Sequence, residues 1–295
     1  MMAVLTLTVS SEQAGRTVRS LLKTELHLST GCINRLKRQE TGLTLNGTRV
    51  FTTAVVREGD VLAADVSAAE RPSSIEPVQM ELDIYFEDEH LLILNKPAPL
   101  AVIPSSLVPE EPTLANGLAR YLGPEAGFHP VNRLDRGTTG LMVVAKTGYI
   151  HERLQKLLHS GGFFREYRAV TLGVPEPSEG HIALPIGRAD GSAIKRCIDP
   201  RGREAHTDYR VEKAFGGRAL VELRPLTGRT HQLRVHMAAT GCPLAGDWLY
   251  GKEDRELIAR PALHAARLAL QHPVTGQRLE LEAPLPHDMI TLLER

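Results

Sequence analysis

Asp135 lies between Arg133 and Arg136 in the run Val131-Asn132-Arg133-Leu134-Asp135-Arg136-Gly137-Thr138-Thr139-Gly140, which feeds the apolar segment Leu141–Ala145. A Gly-Thr-Thr-Gly bend followed by an unbroken apolar run predicts a tight turn opening into a buried strand. One carboxylate, charged at neutral pH, is thereby set at a strand mouth. So placed, it can act as a nucleophile, a base, a metal ligand or the partner of an arginine. Two later residues carry groups that could serve such a carboxylate. Tyr167, in the strand-like segment Glu166–Gly173, is by itself most simply a half-buried strand tyrosine, though its hydroxyl can hydrogen-bond or take a proton. Arg229, in Thr227–His236, offers a guanidinium that can grip a carboxylate through two bonds. His231 and His236 are five residues apart, not the four that would share a helix face, and no Glu lies between them, so no metal is expected there.

The elements that must position these groups follow from apolar spacing. Leu82–Phe86 and Leu91–Leu94, either side of the acidic turn Glu87-Asp88-Glu89, predict two strands ending at Lys96-Pro97. Thr113–Leu122, with Leu114, Leu118 and Leu122 on one face, and Tyr149–Ser160, ended by Gly161-Gly162, predict helices. Gly180–Val211 predicts an irregular loop carrying Lys195, Arg196, Arg201 and Arg203. Arg218–Leu226 predicts a strand, and Thr227–His236 the start of a helix capped at Gly241. Strands at Leu268–Gln271 and Leu279–Ala283 flank the turn His272–Gly276.

The front of the chain differs in charge. Ser11 to Val50 holds seven Lys or Arg against three Glu, seven minus three giving +4, whereas the whole chain balances 35 basic with 35 acidic residues. Arg16–Leu26 predicts one helix, and Ser29-Thr30 caps a second over Gly31–Gln39 that carries Arg35, Lys37 and Arg38. Leu43–Val50 predicts a hairpin turning at Asn46-Gly47. A basic helix face of this kind either meets phosphates or is simply solvated. Residues 67–79, rich in Ser and Pro, predict a linker. Zero net charge means that a nucleic-acid partner must be held by local patches. Three scattered cysteines, Cys32, Cys197 and Cys242, argue against a disulfide framework and for a reducing cytoplasm. The longest apolar runs fall far below the ~20 residues that span a bilayer, and Met1–Ser10, without a basic residue, predicts no secretory signal.

The Asp135 stretch resembles the signature of the RluA-type family of RNA pseudouridine synthases, His-Arg-Leu-Asp, two variable residues, then Thr-Ser-Gly-Leu. Arg133, Leu134, Asp135, Thr138, Gly140 and Leu141 match in register, while Asn132 replaces the His and Thr139 the Ser. Glu87-Asp88 through Lys96-Pro97, the Tyr167-x-Ala169-x-x-x-Gly173 strand, Gly228-Arg229-Thr230-His231-Gln232-Leu233-Arg234-x-His236 and Gly246-Asp247 through Gly251 are similar to the family's later blocks, in order. The resemblance implies an α+β fold, a mixed and largely antiparallel sheet with flanking helices and a central cleft. It implies Asp135, Tyr167 and Arg229 as catalytic residues, with Arg229 paired to the carboxylate. Lys96 is expected either to face RNA or to cap a strand end. Asn132 or Arg133 is expected to fill the space left by a flipped base, and Lys195 and Arg196 to clamp RNA. The helical front resembles the α-L RNA-binding domain, implying domains at 11–66 and 80–295 and RNA contacts from Arg35, Lys37 and Arg38. The partner implied is ribosomal or transfer RNA; no metal, cofactor or membrane is expected, and a monomer is. A non-catalytic RNA-binding or ribosome-assembly factor on the same fold is the alternative.

Overall fold

The computed structural model describes residues 4–66, 75–105, 110–123 and 127–294. The predicted linker overlaps residues 67–74, which lie outside that set.

The front unit comprises β1 (Val4–Thr8), α1 (Val18–Thr24), α2 (Thr30–Leu36), β2 (Leu43–Leu45), β3 (Thr48–Arg49) and β4 (Val61–Asp65). Its strands form an antiparallel sheet in the order β1-β4-β2-β3, so the unit begins with β1, ahead of residue 11. Thr17 and Ser29 cap the two helices by accepting from the Ser20 and Cys32 amides. Val18, Leu21, Leu22, Ile33 and Leu36 are buried with Leu43 and Leu62 of the sheet. Helix α2 stops at Leu36, short of the predicted Gln39. There the chain turns back so tightly that a Cβ on Gly42 would lie 2.4 Å from the Leu36 carbonyl oxygen. Lys37 is therefore the C-cap and Arg38 lies in the following turn.

The large unit runs β5 (Asp83–Glu87), β6 (Leu91–Lys96), α3 (Leu114–Leu122), β7 (His129–Pro130), β8 (Thr139–Ala145), α4 (Gly148–His159), β9 (Phe163–Leu172), β10 (Glu179–Ile182), β11 (Ile186–Arg188), β12 (Arg196–Ile198), β13 (Thr207–Phe215), β14 (Arg218–Pro225), α5 (Gln232–Ala239), β15 (Leu263–Gln271), β16 (Arg278–Glu282) and α6 (His287–Glu294). One mixed sheet has the order β10-β13-β14-β9-β15-β8-β6-β5, with β16 and β7 added to β15 and β8. Among the described residues its pairings are antiparallel except β15 with β8, which run parallel. Alternate residues of β6 and β8 serve opposite faces. Leu92, Leu94, Met142 and Val144 pack with α3 and α5, while Leu91, Ile93, Leu141 and Val143 pack with α4 and join the core of the front unit. Covered on both sides, β8 is buried along its whole length, which explains its continuous apolar reading.

The parallel junction depends on Gly140. Its φ is +114°, and a Cβ there would lie 2.3 Å from the Ala265 carbonyl oxygen, so only glycine lets β8 approach β15 this closely. Gly180–Val211 is not the irregular loop predicted: β10 pairs with β13, and β11 pairs with β12 as a separate ribbon. Strands of three or four residues interrupted by Pro185, Gly187 and Gly191 are too short to show an alternating pattern.

Candidate active site

A cleft of about 830 Å³ opens over the junction of β8, β9 and β15, lined by the Asp135 turn, Tyr167, the segment before α5 and the start of α5. Asp135 sits in the turn between β7 and β8, where its carbonyl accepts from the Thr138 amide at 3.0 Å. Two buried side chains hold this turn. Asn132 Oδ1 accepts from the Val143 amide at 2.8 Å and its Nδ2 donates to the Leu141 carbonyl at 3.5 Å. Lys96 Nζ donates to the carbonyls of Pro97 and Leu100 at 2.8 Å and of Arg136 at 3.5 Å. Burial drives the Lys96 pKa down to about 7, against the opposing pull of the Asp135 carboxylate. Lys96 thus takes the second of its two expected roles, holding backbone at a strand end, and Asn132, though on the cleft lining, spends its side-chain bonds on β8. Arg133 is exposed on the cleft wall with no partner among the described residues, whereas Arg136 pairs with Glu111 at 2.9 Å.

The guanidinium that reaches Asp135 belongs to Arg234, not Arg229. Arg234 Nη1 lies 3.4 Å from Asp135 Oδ2, and its Nε and Nη2 each donate to Asp247 at 2.7 Å. Asp247 is fully buried and also accepts from the amides of Leu249 and Tyr250. Burial works against the charge on Arg234, and Asp247, with Asp135 and Tyr250 adding to it, outweighs that burial, so its pKa is raised. The correction follows from where the helix starts. His231, at φ 58°, is the left-handed N-cap of α5, so Thr227–His231 is a turn and Arg229 precedes the helix. Gln232 organises that turn by accepting from the Arg229 amide at 3.0 Å and from the Thr227 hydroxyl at 2.8 Å. Arg229 Nε donates to the Glu204 carbonyl at 2.8 Å, leaving Arg229 on the cleft lining, while Arg234 projects from within α5. Asp247, thirteen residues downstream, was the available signal: an arginine set among Leu233, Val235 and His236 on a buried helix needs a carboxylate.

His231 completes the surroundings of the carboxylate. Its Nε2 is 3.9 Å from Asp135 Oδ2 and its Nδ1 is 2.7 Å from the Tyr250 hydroxyl, which itself accepts from the Arg196 amide at 2.9 Å. Burial lowers the His231 pKa, so the ring is neutral at pH 7. His236 is bonded to the Thr207 hydroxyl and the Leu184 carbonyl. Among the described residues, no group of three His, Cys, Asp or Glu is placed to hold a metal ion.

Tyr167 lines the cleft beside this group at 6% exposure. Burial foremost raises its pKa, Arg165 opposing and Asp135 adding to the shift. Thr139 Oγ1 lies 2.9 Å from His264 Nδ1, and His264 Nε2 donates to the Ala283 carbonyl, so the hydroxyl replacing the signature's Ser is the donor to His264. Asp135 is the single carboxylate on the described cleft lining, against five arginines, and 29% of its side chain is exposed. The other basic residues expected to contact RNA lie outside the cleft lining. Lys195 and Arg196 are at the β11–β12 ribbon, with Lys195 Nζ 6.0 Å from the centre of the Tyr250 ring, and Arg35, Lys37 and Arg38 are on the front unit. The described cleft lining thus presents one solvent-reachable carboxylate, fixed from behind by a doubly anchored guanidinium, beside a protonated tyrosine and among five arginines. That arrangement can meet positive charge developing on a bound polyanion.

Residues 90–239 match the family model described as RNA pseudouridylate synthase. The uncharacterized RNA pseudouridine synthase YjbO of Bacillus subtilis is 38% identical over 273 residues, which cover 92% of this chain and 96% of that protein. Ribosomal large subunit pseudouridine synthase D of Escherichia coli is 40% identical over 243 residues, covering 76% and 73%. The solved structure of human RNA Pseudouridylate Synthase Domain Containing 4 superposes with a TM-score of 0.57 at 29% identity, covering 72% of this chain and 92% of that one. The sheet, the Asp135 turn and these similarities together make the chain a member of the RluA-type family of RNA pseudouridine synthases, isomerases that modify RNA.

Proposed function

We propose that the chain converts uridines of large-subunit ribosomal RNA to pseudouridine, with Asp135 carrying the chemistry, Tyr167 lying against the base and Arg234 holding the carboxylate. The observation that carries the assignment of Asp135 is its isolation: one carboxylate, 3.4 Å from a buried arginine, on a described cleft lining whose five other charged residues are all arginines. In the isomerisation the bond from ribose C1′ to uracil N1 breaks, the base turns, C1′ bonds to C5, the C5 proton is lost and N1 gains one. Breaking the first bond builds positive charge on the ribose, as in glycoside hydrolysis, and an anchored carboxylate stabilises it. Uracil leaves as a fairly stable anion, so the steps need no metal or redox cofactor. Burial raises the pKa of the Tyr167 hydroxyl, which suits it to stacking and hydrogen-bond donation, and final loss of the C5 proton is assisted by Tyr167 or a water.

Ribosomal RNA as the substrate rests on the similarity to ribosomal large subunit pseudouridine synthase D of Escherichia coli. The front unit, with two capped helices and a small sheet, is read as an α-L-type RNA-binding domain joined by residues 67–79 to a catalytic domain from residue 80 onward. Lys37 and Arg38, exposed at the end of α2, would contact phosphates, and Lys195 and Arg196 would flank the cleft. The site of action is the cytoplasm. The test is carbodiimide-dependent mapping of pseudouridine in ribosomal and transfer RNA from cells with and without the gene. Loss of sites in large-subunit ribosomal RNA supports the proposal, and loss confined to transfer RNA overturns its substrate.

A further inference from the structure

We propose that Arg165 is the phosphate-binding residue of the cleft, gripping the phosphodiester beside the target uridine. The inference rests on the RNA reading above and adds a ligand for one side chain. Arg165 lines the same cleft as Asp135 and Tyr167. Its Nε is buried with no hydrogen-bond partner, and its Nη2 makes only a long bond, 3.4 Å, to the Pro225 carbonyl. Among the described residues no carboxylate pairs with it, although the neighbouring Glu166 and Arg168 are both engaged in ion pairs. A half-buried guanidinium whose Nε is buried without a partner calls for an anion.

Asp135 is not that anion, since its oxygen faces Arg234 and His231. The geometry favours phosphate over the base. Arg165 and Tyr167 are two positions apart on β9 and point to the same side, roughly 6.6 Å along the strand. With the base on Tyr167 and its ribose at Asp135, the backbone must leave along the cleft wall, and Arg165 stands one step along it. The turn before α5 lies over the guanidinium, because a Cβ on Gly228 would sit 3.8 Å from Arg165 Nη1. A planar donor fork roofed by a loop and open to the cleft fits phosphate oxygens.

The experiment measures binding of an unmodified large-subunit ribosomal RNA transcript at several salt concentrations by the full chain and by Arg165→Met and Arg165→Lys. Removing one phosphate contact lowers the slope of log K against log salt by about 0.9 and weakens binding roughly tenfold. Arg165→Lys, which keeps the charge and loses the fork, retains the wild-type slope. In turnover assays the Arg165→Met defect falls on KM more than on kcat. An unchanged slope overturns the proposal, and an unchanged slope with a collapse in kcat assigns Arg165 to the reacting base instead. Should Arg165→Met fail to fold by circular dichroism, Arg165→Gln supplies the neutral variant. If wild-type protein forms no pseudouridine in this transcript, the ribosomal substrate fails while the slope comparison still decides Arg165.

Discussion

Charged residues do opposite work in the cleft and in the front unit. Around Asp135, several charges are partly or wholly buried and tied: Arg234 spans Asp135 and Asp247, Lys96 donates to three carbonyls, and Gln232 fixes the turn that carries Arg229. On the front unit, Lys37 and Arg38 are exposed past the end of α2, and no carboxylate pairs with them among the described residues. Fixing a charge in a low-dielectric wall costs desolvation and must be offset by several bonds. Leaving it in solvent costs little and aims nothing. The tied charges of the cleft are therefore held in position, whereas Lys37 and Arg38 on the front unit stay in solvent.

The sharpest way to break this comparison is Asp135→Asn, which keeps shape and removes charge. It should fold with an unaltered circular dichroism spectrum, bind RNA, and lose pseudouridine formation by roughly 10³-fold or more. Turnover near wild type would refute the assignment of Asp135.

Arg234 and Arg229 supply the next test because they share one motif and differ in anchoring. Arg234→Met strands the fully buried Asp247 and should destabilise the fold by about 3–5 kcal/mol in urea unfolding. Arg229→Met removes a single bond to a carbonyl and should cost about 1 kcal/mol or less. Equal losses would show that burial of the pair with Asp247 is not what distinguishes them.

Much of this was legible in sequence, and the failures share a cause. The Asp135 turn, the β8 run, the Asn46-Gly47 hairpin and the helices at α3 and α4 follow from local pattern, which depends on neighbours in the chain. Which arginine meets Asp135 does not. It depends on the left-handed residue His231, which delays α5 until Gln232, and on Asp247, which lies in a later segment. Asn132 and Lys96 were open to an RNA-facing role for the same reason. A polar residue beside an active carboxylate looks reactive until β8 and the carbonyls of residues 97, 100 and 136 are seen to consume its bonds. The β11–β12 ribbon was missed because three-residue strands carry no period.

Lys96 turns the cost of burial into a pH dependence. Its ordinary value is 10.5, and in the folded protein it is about 7. Between those values the unfolded chain binds a proton that the folded protein has released, so folding gains with rising pH. Below about 7 both states are protonated and the penalty for burying the cation is felt in full. Urea unfolding of wild type and Lys96→Met from pH 6 to 10 should therefore give a difference that moves in favour of wild type as pH rises above 7. A flat difference would mean that the three carbonyls hold Lys96 charged throughout.

The smallest effect is expected at the front unit, and it completes the contrast. Lys37→Ala with Arg38→Ala removes two exposed charges that make no ion pair among the described residues, so unfolding free energy should change by no more than about 0.5 kcal/mol. If these residues meet phosphates, the slope of log K against log salt for RNA binding should fall by roughly 1.8, two contacts' worth. Turnover at saturating RNA should stay close to wild type, since neither side chain touches the cleft. A loss of kcat as large as that of Asp135→Asn would mean that the front unit helps to build the reacting geometry, and the division between aiming and attracting would not hold.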